Sequence, residues 1–246
     1  MKHLLARTTA AAVLSVASLY PAGVTALDVK LTDYLAYVEV KHDGEPVREQ
    51  RIQNQDNTLT DGFAKTSRKC PPFCIQPMHV APGVETVGEA EIFRFMDREM
   101  GTGEGVIVDA RTPSWHKKGT IPGSVNIPFT VFEKGVDEPE LVEVLEQLGG
   151  KRRGEVGGMT RSFESVMDLF GGSMKTDHWD FTDAMDVVFW CNGPWCGQSP
   201  RAIKALLAHG YPAEKIYYYR GGMQMWKILG LTVVVPESTQ KSVAMK

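Results

Sequence analysis

The sequence predicts an α/β fold whose central sheet is mostly parallel. Short runs of β-branched and aromatic residues occur at 106–108, 187–190 and 216–219, and segments with helical periodicity alternate with them. Uninterrupted apolar runs of this length are typical of strands that are buried on both faces. Strands that alternate with helices favour a parallel sheet covered by helices.

Four segments are expected to be helical, each with apolar residues on one face. These residues are Ile92, Phe93 and Met96; Leu141, Leu145 and Leu148; Ala202, Ile203, Leu206 and Leu207; and Trp226. Residues 86–89 have the form of a capping box, which predicts the start of the first helix. Ser199 as N-cap and Pro200 as first helical residue predict the start of the third, and Gly210 predicts its end.

The N-terminus has the pattern of a cleavable signal peptide over residues 1–26. Lys2 and Arg7 give a positive start, residues 10–19 form an apolar core, and Val-Thr-Ala at 24–26 is a small-residue cleavage site. The mature chain is therefore expected to begin near Leu27 and to be periplasmic or secreted. The apolar core is shorter than the roughly 20 residues of a membrane span, so we expect no stable membrane insertion after cleavage.

The remaining chain divides into an extension, a domain and a tail. Residues 27–83 are polar and contain four prolines between positions 71 and 82, so we expect an irregular extension that wraps or caps the domain. The domain is expected to span 84–236, and residues 237–246 to form a C-terminal tail.

The charge of the chain is nearly balanced. It has 27 Lys and Arg against 30 Asp and Glu, which gives a formal net charge of −3. This balance does not suggest a nucleic-acid partner.

The four cysteines fall into two close pairs, Cys70 with Cys74 and Cys191 with Cys196. In an oxidising compartment such pairs can form structural disulfides. Their spacing is not the usual zinc spacing, and we expect neither a metal nor a cofactor. Cys191 follows the strand at 187–190 and precedes a helix, where unpaired N–H groups and the positive end of the helix dipole favour a thiolate.

Two stretches resemble the signatures of rhodanese-like domains. The first is Val-Asp-Ala-Arg at 108–111, followed by Gly-Thr-Ile-Pro-Gly-Ser-Val-Asn-Ile-Pro at 119–128. The second is a strand that ends in Cys191, then a glycine-containing loop, a helix and Arg-Gly-Gly at 220–222. The resemblance covers residues 84–236 and implies a rhodanese-like three-layer fold with a central, mostly parallel sheet.

The chain departs from the family pattern in two places. Position 120 is Thr where the family often has His. The loop at 191–199 is longer than the common sulfurtransferase loop and contains a second cysteine, Cys196. The phosphatase relatives of the fold have a Cys-x5-Arg loop, but Gly197 stands in place of that arginine, so phosphate chemistry is not implied.

The resemblance implies a sulfurtransferase in which Cys191 becomes a persulfide. It would take a sulfane sulfur from thiosulfate or a persulfide donor and pass it to cyanide or to a thiol, including a protein thiol. Asp109 and Arg111 would shape the site or form a structural ion pair beneath it. Arg201 and Arg220 are candidate anion guides by their positions. The residues expected to bind the substrate are Asn192, Gly193, Pro194, Trp195, Gly197, Gln198, Ser199 and Arg201.

Two other functions remain open. Cys196 can attack a Cys191 persulfide or sulfenate and close a disulfide, which would make the protein a thiol–disulfide exchange or persulfide-reducing enzyme. We predict that this disulfide is reversible and switches sulfur transfer off. In the second alternative the domain is a non-catalytic binding module with the rhodanese fold.

Overall fold

The computed structural model describes residues 27–71, 73–154 and 174–236. The predicted signal peptide and the predicted tail at 237–246 lie outside these ranges. Within them, no helix combines the length and the apolar composition that crossing a membrane requires.

The described ranges contain short strands and helices in alternation. In chain order the strands are β1 (Tyr37–His42), β2 (Glu45–Gln50), β3 (Glu85–Val87), β4 (Gly105–Asp109), β5 (Ser124–Asn126), β6 (Lys151–Arg152), β7 (Trp179–Asp180), β8 (Asp186–Trp190) and β9 (Ile216–Tyr219). The α-helices are α1 (Glu89–Asp97), α2 (Glu99–Thr102), α3 (Pro113–His116), α4 (Phe129–Phe132), α5 (Pro139–Gln147), α6 (Gln198–Ala208) and α7 (Gly222–Ile228).

Five strands form one sheet in the order β3-β9-β8-β4-β5. Every neighbouring pair in it is parallel. The three strands that the sequence predicted are β4, β8 and β9, and these are the inner strands of the sheet. The predicted α/β fold with a mostly parallel sheet is therefore confirmed.

Side chains of the inner strands alternate between the two faces of the sheet. Val187 and Phe189 of β8 pack into one core with residues of α4, α5 and α6. Val188 and Trp190 pack into a second core with residues of α1 and α7. The sheet thus lies between two helical layers, which is the three-layer arrangement that the resemblance implies.

The first predicted helix start is wrong. Residues 86–89 are not a capping box, because Thr86 lies in β3 and pairs with Tyr218 of β9. Helix α1 begins after Gly88, whose N–H donates to Glu91 Oε2 at 3.1 Å. The acidic residue that caps the helix is therefore Glu91, two positions beyond the predicted one.

Helix α6 begins at Gln198, two residues before the predicted first helical residue, Pro200. Ser199 consequently lies inside the first turn and is not the N-cap. Its hydroxyl donates to the sulfur of Cys191 instead of to the helix backbone. Pro200 is compatible with this start because the N–H groups of the first turn have no acceptor within the helix.

The N-terminal extension contains a hairpin that the prediction of an irregular segment missed. Strands β1 and β2 pair antiparallel, and Val38 and Val40 are buried in the second core. The turn residues Asp43 and Gly44 both have positive φ, 50° and 87°, as a type I′ hairpin turn requires. The sequence feature that predicts such a hairpin is an Asp-Gly pair next to an alternating apolar pattern, and the chain has it at Asp43-Gly44.

The segment after the hairpin is joined to the end of the domain. Arg51 forms an antiparallel bridge with Leu231, and the N–H of Ile52 donates to the carbonyl of Gly230 at 2.6 Å. The hairpin and this segment therefore pack on the domain, and residues 230–232 hold one side of them.

Candidate active site

Cys191 directly follows β8, at the carboxyl end of the central strand, and the loop at 191–197 leads from it into α6. In parallel α/β sheets this edge is where ligands bind. The Cys191 side chain is only 2% exposed. The sequence placed Cys191 between a strand and a helix, and the structure shows that placement.

The Cys191 sulfur lies among hydrogen-bonding groups of the loop and of the start of α6. Ser199 Oγ donates to it at 3.0 Å, and in the thiol form the sulfur donates to the Cys196 carbonyl at 3.3 Å. The Cys196 thiol and the backbone N–H groups of Ser199 and Gly193 also favour the thiolate. Burial opposes ionisation, but these hydrogen bonds outweigh it and lower the pKa of Cys191 from 9.0 to about 7. A substantial fraction of Cys191 is therefore thiolate near neutral pH.

Cys196 is the protonated partner of Cys191. Its hydrogen bond to Cys191, its burial and the negative charge of Cys191 all raise the pKa of Cys196. Both are free thiols, and Cys196 is 4% exposed. The pair thus combines one acidic thiol with one that holds its proton firmly.

The turn before α7 packs directly against the Cys191 loop. The N–H of Met223 donates to the Cys191 carbonyl at 3.0 Å. Gly222 has a φ of 53°, and a Cβ at this position would lie 2.7 Å from the Gly193 nitrogen and overlap the Cys191 carbonyl. The Arg-Gly-Gly motif at 220–222 is therefore explained by close approach of two backbones, which only glycine permits.

Asp109 and Arg111 form a buried ion pair under the loop. Arg111 Nε and Nη2 donate to the carboxylate at 2.8 and 2.6 Å, and Nη1 donates to Asn192 Oδ1 at 3.4 Å. Thr120 Oγ1 and His116 Nδ1 contact the same carboxylate at 3.1 and 3.0 Å. Burial acts to raise the pKa of Asp109, but Arg111 and His116 outweigh it and hold that pKa below its usual value. The pair supports the loop through Asn192.

The two predicted anion guides already have partners. Arg201 Nε and Nη2 each lie 2.7 Å from the carboxylate of Glu133. Arg220 Nε donates to the carbonyl of Gln76 at 3.0 Å. The charge of Arg201 is thus matched by a carboxylate, and Arg220 holds a segment of the extension.

That segment lies across the loop, and we call residues 68–71 and 73–76 the strap. Phe73 forms an antiparallel bridge with Cys196. The N–H of Gln76 donates to the carbonyl of Pro194 at 2.7 Å. The strap therefore covers the half of the loop that contains the second cysteine.

Side chains of the strap pack on Trp195 of the loop. The Phe73 ring meets it edge-on with 5.1 Å between centroids, and the Arg68 guanidinium lies 3.7 Å from its ring centroid. Sequence analysis missed Arg68, Phe73 and Gln76 as neighbours of the loop. No local signal marks them, because their contacts join positions that are more than 100 residues apart.

The first cysteine pair lies within the strap. The sulfurs of Cys70 and Cys74 are joined as a disulfide in the structure. Across the described ranges, no three His, Cys, Asp or Glu side chains are grouped so that they could hold a metal ion.

Comparison with known proteins shows the family of the chain. The model of the rhodanese-like domain family matches residues 95–229. A search of curated proteins gave no match.

Several solved structures are similar to the chain. A protein of unknown function from Rhodopseudomonas palustris, described as a possible tyrosine phosphatase, is 20% identical, with 63% of this chain and 88% of that chain covered and a TM-score of 0.37. The human single-domain sulfurtransferase TSTD1 is 17% identical, with 60% of this chain and 97% of that chain covered and a TM-score of 0.34. Thiosulfate sulfurtransferase from Pseudomonas aeruginosa is 20% identical, with 63% of this chain and 21% of that chain covered and a TM-score of 0.33.

The family match includes the strand that carries Asp109, the Cys191 loop and the turn at 220–222. It covers more than half of the chain. The chain therefore belongs to the rhodanese-like domain family.

Proposed function

We propose that the protein is a sulfurtransferase in which Cys191 carries a sulfane sulfur as a persulfide. The observation that carries this proposal is the set of hydrogen bonds at the Cys191 sulfur, which lowers its pKa to about 7. The thiolate is the nucleophilic form of cysteine, and a buried thiolate with several donors is ready to attack a sulfur electrophile.

The reaction has two steps. With thiosulfate as donor, the Cys191 thiolate attacks the outer sulfur, the sulfur–sulfur bond of thiosulfate breaks, and sulfite leaves with the bonding electrons. An acceptor then attacks the outer sulfur of the persulfide and regenerates the Cys191 thiolate. Cyanide yields thiocyanate, whereas a small thiol or a protein thiol yields a new persulfide.

The surrounding residues have defined tasks in this scheme. The N–H groups of Gly193 and Ser199 and the Ser199 hydroxyl point at the sulfur, so they would stabilise negative charge on the persulfide as well. Asp109 and Arg111 keep the loop in place from below. They are positioning residues, because the two charges neutralise each other in a buried ion pair.

The proposal is tested by intact mass after the reduced protein is treated with thiosulfate. We expect a gain of one sulfur that maps to Cys191, and we expect Cys191→Ser to show neither this gain nor thiocyanate formation with cyanide. A thermal melt of the variant controls for folding. Undiminished thiocyanate formation by folded Cys191→Ser would end the proposal.

We also propose that the chain is exported and acts in the periplasm or outside the cell. The charged, apolar and small-residue pattern at 1–26 supports export, and the Cys70–Cys74 disulfide suits an oxidising compartment. N-terminal sequencing of the native protein is expected to find a start near Leu27. Recovery of a cytosolic chain that still begins at Met1 would contradict export.

A further inference from the structure

The two cysteine pairs lie about 120 positions apart in the chain, yet the fold brings them together. Phe73, the residue before Cys74, forms the backbone bridge with Cys196. The strap therefore places an oxidised pair, Cys70–Cys74, against a reduced pair, Cys191 and Cys196. These are all the cysteines of the protein.

We infer that the strap disulfide and the loop thiols exchange, so that the two pairs form an internal thiol–disulfide relay. This activity goes beyond sulfur transfer and does not require a persulfide. It needs no external oxidant, because the disulfide that oxidises the loop pair is already present in the strap.

Exposure determines the direction of the attack. Cys70 is exposed and Cys74 is half-buried next to the bridge, whereas the loop thiols are buried. A loop thiolate therefore meets Cys74 first, and Cys70 leaves as a thiolate that water can solvate. Cys196 is the loop thiol whose backbone contacts the strap, so Cys196 makes the first attack.

The exchange balances in two steps. After the strap has shifted, the Cys196 thiol loses its proton to solvent, and the Cys196 sulfur attacks Cys74. The Cys70–Cys74 bond breaks, and a Cys74–Cys196 bond forms. The Cys191 thiolate then attacks Cys196, which releases Cys74. The loop pair ends as a disulfide, and the two strap thiolates take protons from solvent and end as thiols.

Arg68 is placed to assist the first step. Its guanidinium lies on the Trp195 ring, and it is close enough to Cys196 for the two charges to interact. Its Nη2 donates to the neutral Gly62 carbonyl, and its Nε is buried without a hydrogen-bond partner among the described residues. The cation therefore favours the otherwise unfavourable thiolate of Cys196.

The strap must move for the exchange to occur. Neighbouring residues of an extended segment point to opposite sides, so Cys74 reaches Cys196 only after the strap shifts by about one residue. Among the described residues, the strap backbone is joined to the loop backbone by the bridge at Phe73 and by the hydrogen bond from Gln76 to Pro194. A shift breaks these backbone contacts and moves Phe73 and Arg68 on the Trp195 ring, so the two cysteine pairs stay apart until the strap moves.

Trypsin separates the pairs cleanly, which makes the relay testable. Cleavage after Lys69 and Arg94 releases both strap cysteines in residues 70–94, and cleavage after Lys175 and Arg201 releases both loop cysteines in residues 176–201. A disulfide within either pair leaves these peptides separate. Only a bond between the pairs joins them.

The test uses the full mature chain with Cys191→Ser, which removes the thiol that resolves the mixed disulfide. We expect peptides 70–94 and 176–201 to become linked through Cys196 in a monomeric chain, and the Cys191→Ser, Cys196→Ser double variant to show no link. Adding Arg68→Gln to Cys191→Ser should slow linkage roughly tenfold, the effect of one unit in the pKa of the attacking thiol.

Arg152→Gln is the matched control for Arg68, because Arg152 also lies over a tryptophan ring, that of Trp179, but pairs with Asp137. When Arg152→Gln is added to Cys191→Ser, linkage must proceed at the same rate as in Cys191→Ser alone. The relay is wrong if Cys191→Ser and Cys196→Ser both leave the peptides separate although thermal melts show that each variant is folded. It is also wrong if linkage occurs only between two chains. Neither result bears on sulfur transfer, which is measured separately in the wild-type chain.

Discussion

Ser199 links the start of helix α6 to the chemistry of Cys191. Its hydroxyl is fully buried and donates to the Cys191 sulfur at 3.0 Å. Burial alone would keep this cysteine protonated, so each donor that points at the sulfur adds directly to its acidity. Removing one donor should therefore have a measurable effect on ionisation without removing the nucleophile.

We predict that Ser199→Ala raises the pKa of Cys191 from about 7 toward its ordinary value. The measurement is the rate of alkylation of Cys191 by iodoacetamide against pH, with Cys196 left in place and the alkylated cysteine identified by fragmentation of its peptide. Ser114→Ala is the control, since Ser114 is exposed and bonds to Thr112. Identical inflection points for the Ser199 and Ser114 variants would contradict the role given to Ser199.

Glu49 is a second residue with an unusual environment. It is 0% exposed, and burial raises its pKa from 4.5 to about 9 despite a hydrogen bond from the N–H of Thr232. Between these two pH values the unfolded chain loses the proton while the folded chain keeps it. The free energy of unfolding therefore falls as pH rises through this window, by up to ~1.4 kcal/mol per pH unit from this group.

We predict that Glu49→Gln removes this part of the pH dependence, because the amide fits the same space and does not ionise. Denaturant unfolding at several pH values between 5 and 8 should show the variant gaining stability over the wild type as pH rises. Glu39→Gln is the control, since Glu39 of β1 is exposed and pairs with Arg48 of β2. Parallel stability curves for Glu49→Gln and wild type would show that the proton on Glu49 is not held.

At the scale of elements, the site depends on contact between two turns, the loop after β8 and the turn before α7. Gly222 is the point of contact, and a side chain there would enter the backbone of the Cys191 loop. We predict that Gly222→Ala costs about 1–3 kcal/mol of stability and raises the pKa of Cys191 by displacing the Gly193 N–H.

Gly103→Ala separates the two causes of that cost. Gly103 also has positive φ, 79°, but a Cβ there would meet no atom within 4 Å. Denaturant unfolding and the alkylation profile of Cys191 are measured for both variants. Equal losses of stability with unchanged Cys191 ionisation would mean that backbone conformation, and not contact with the loop, explains the effect.

The elements differ in how far the sequence predicts them. Strands β4, β8 and β9 were predicted because buried strands have a compact apolar pattern, and Cys191 was predicted because it follows one of them. The start of α6 was misplaced because Ser199 has the residue type of a cap but bonds to Cys191. The Asp43-Gly44 hairpin was missed although its turn carries a local signal.

At the scale of the whole molecule, the extension and the end of the domain depend on each other. Thr232 Oγ1 accepts from the N–H of Gln50 at 3.0 Å, and its own N–H donates to Glu49. Sequence patterns did not predict these contacts, or those of the strap, because the partners are more than 100 residues apart in the chain and no periodic pattern links them. Only the folded chain brings such segments together.

We predict that Thr232→Val loosens the hairpin without unfolding the domain, because valine keeps the shape and removes the hydroxyl. Hydrogen exchange of the Gln50 amide should become faster, while exchange of the Val188 amide in the central strand stays unchanged. Thr182→Val is the control, since Thr182 bonds to Asp180 and lies outside the extension. Unchanged exchange at Gln50 would contradict this coupling.

The bridges that join Arg51 to Leu231 and Thr120 to Val234 have a consequence for the order of folding. Arg51 and Leu231 lie almost at opposite ends of the described chain, so this contact forms only after nearly all of the protein has been synthesised. Contacts between distant positions slow folding, because a long loop must close before they form. The hairpin is thus among the first segments to be made and among the last to reach its final place.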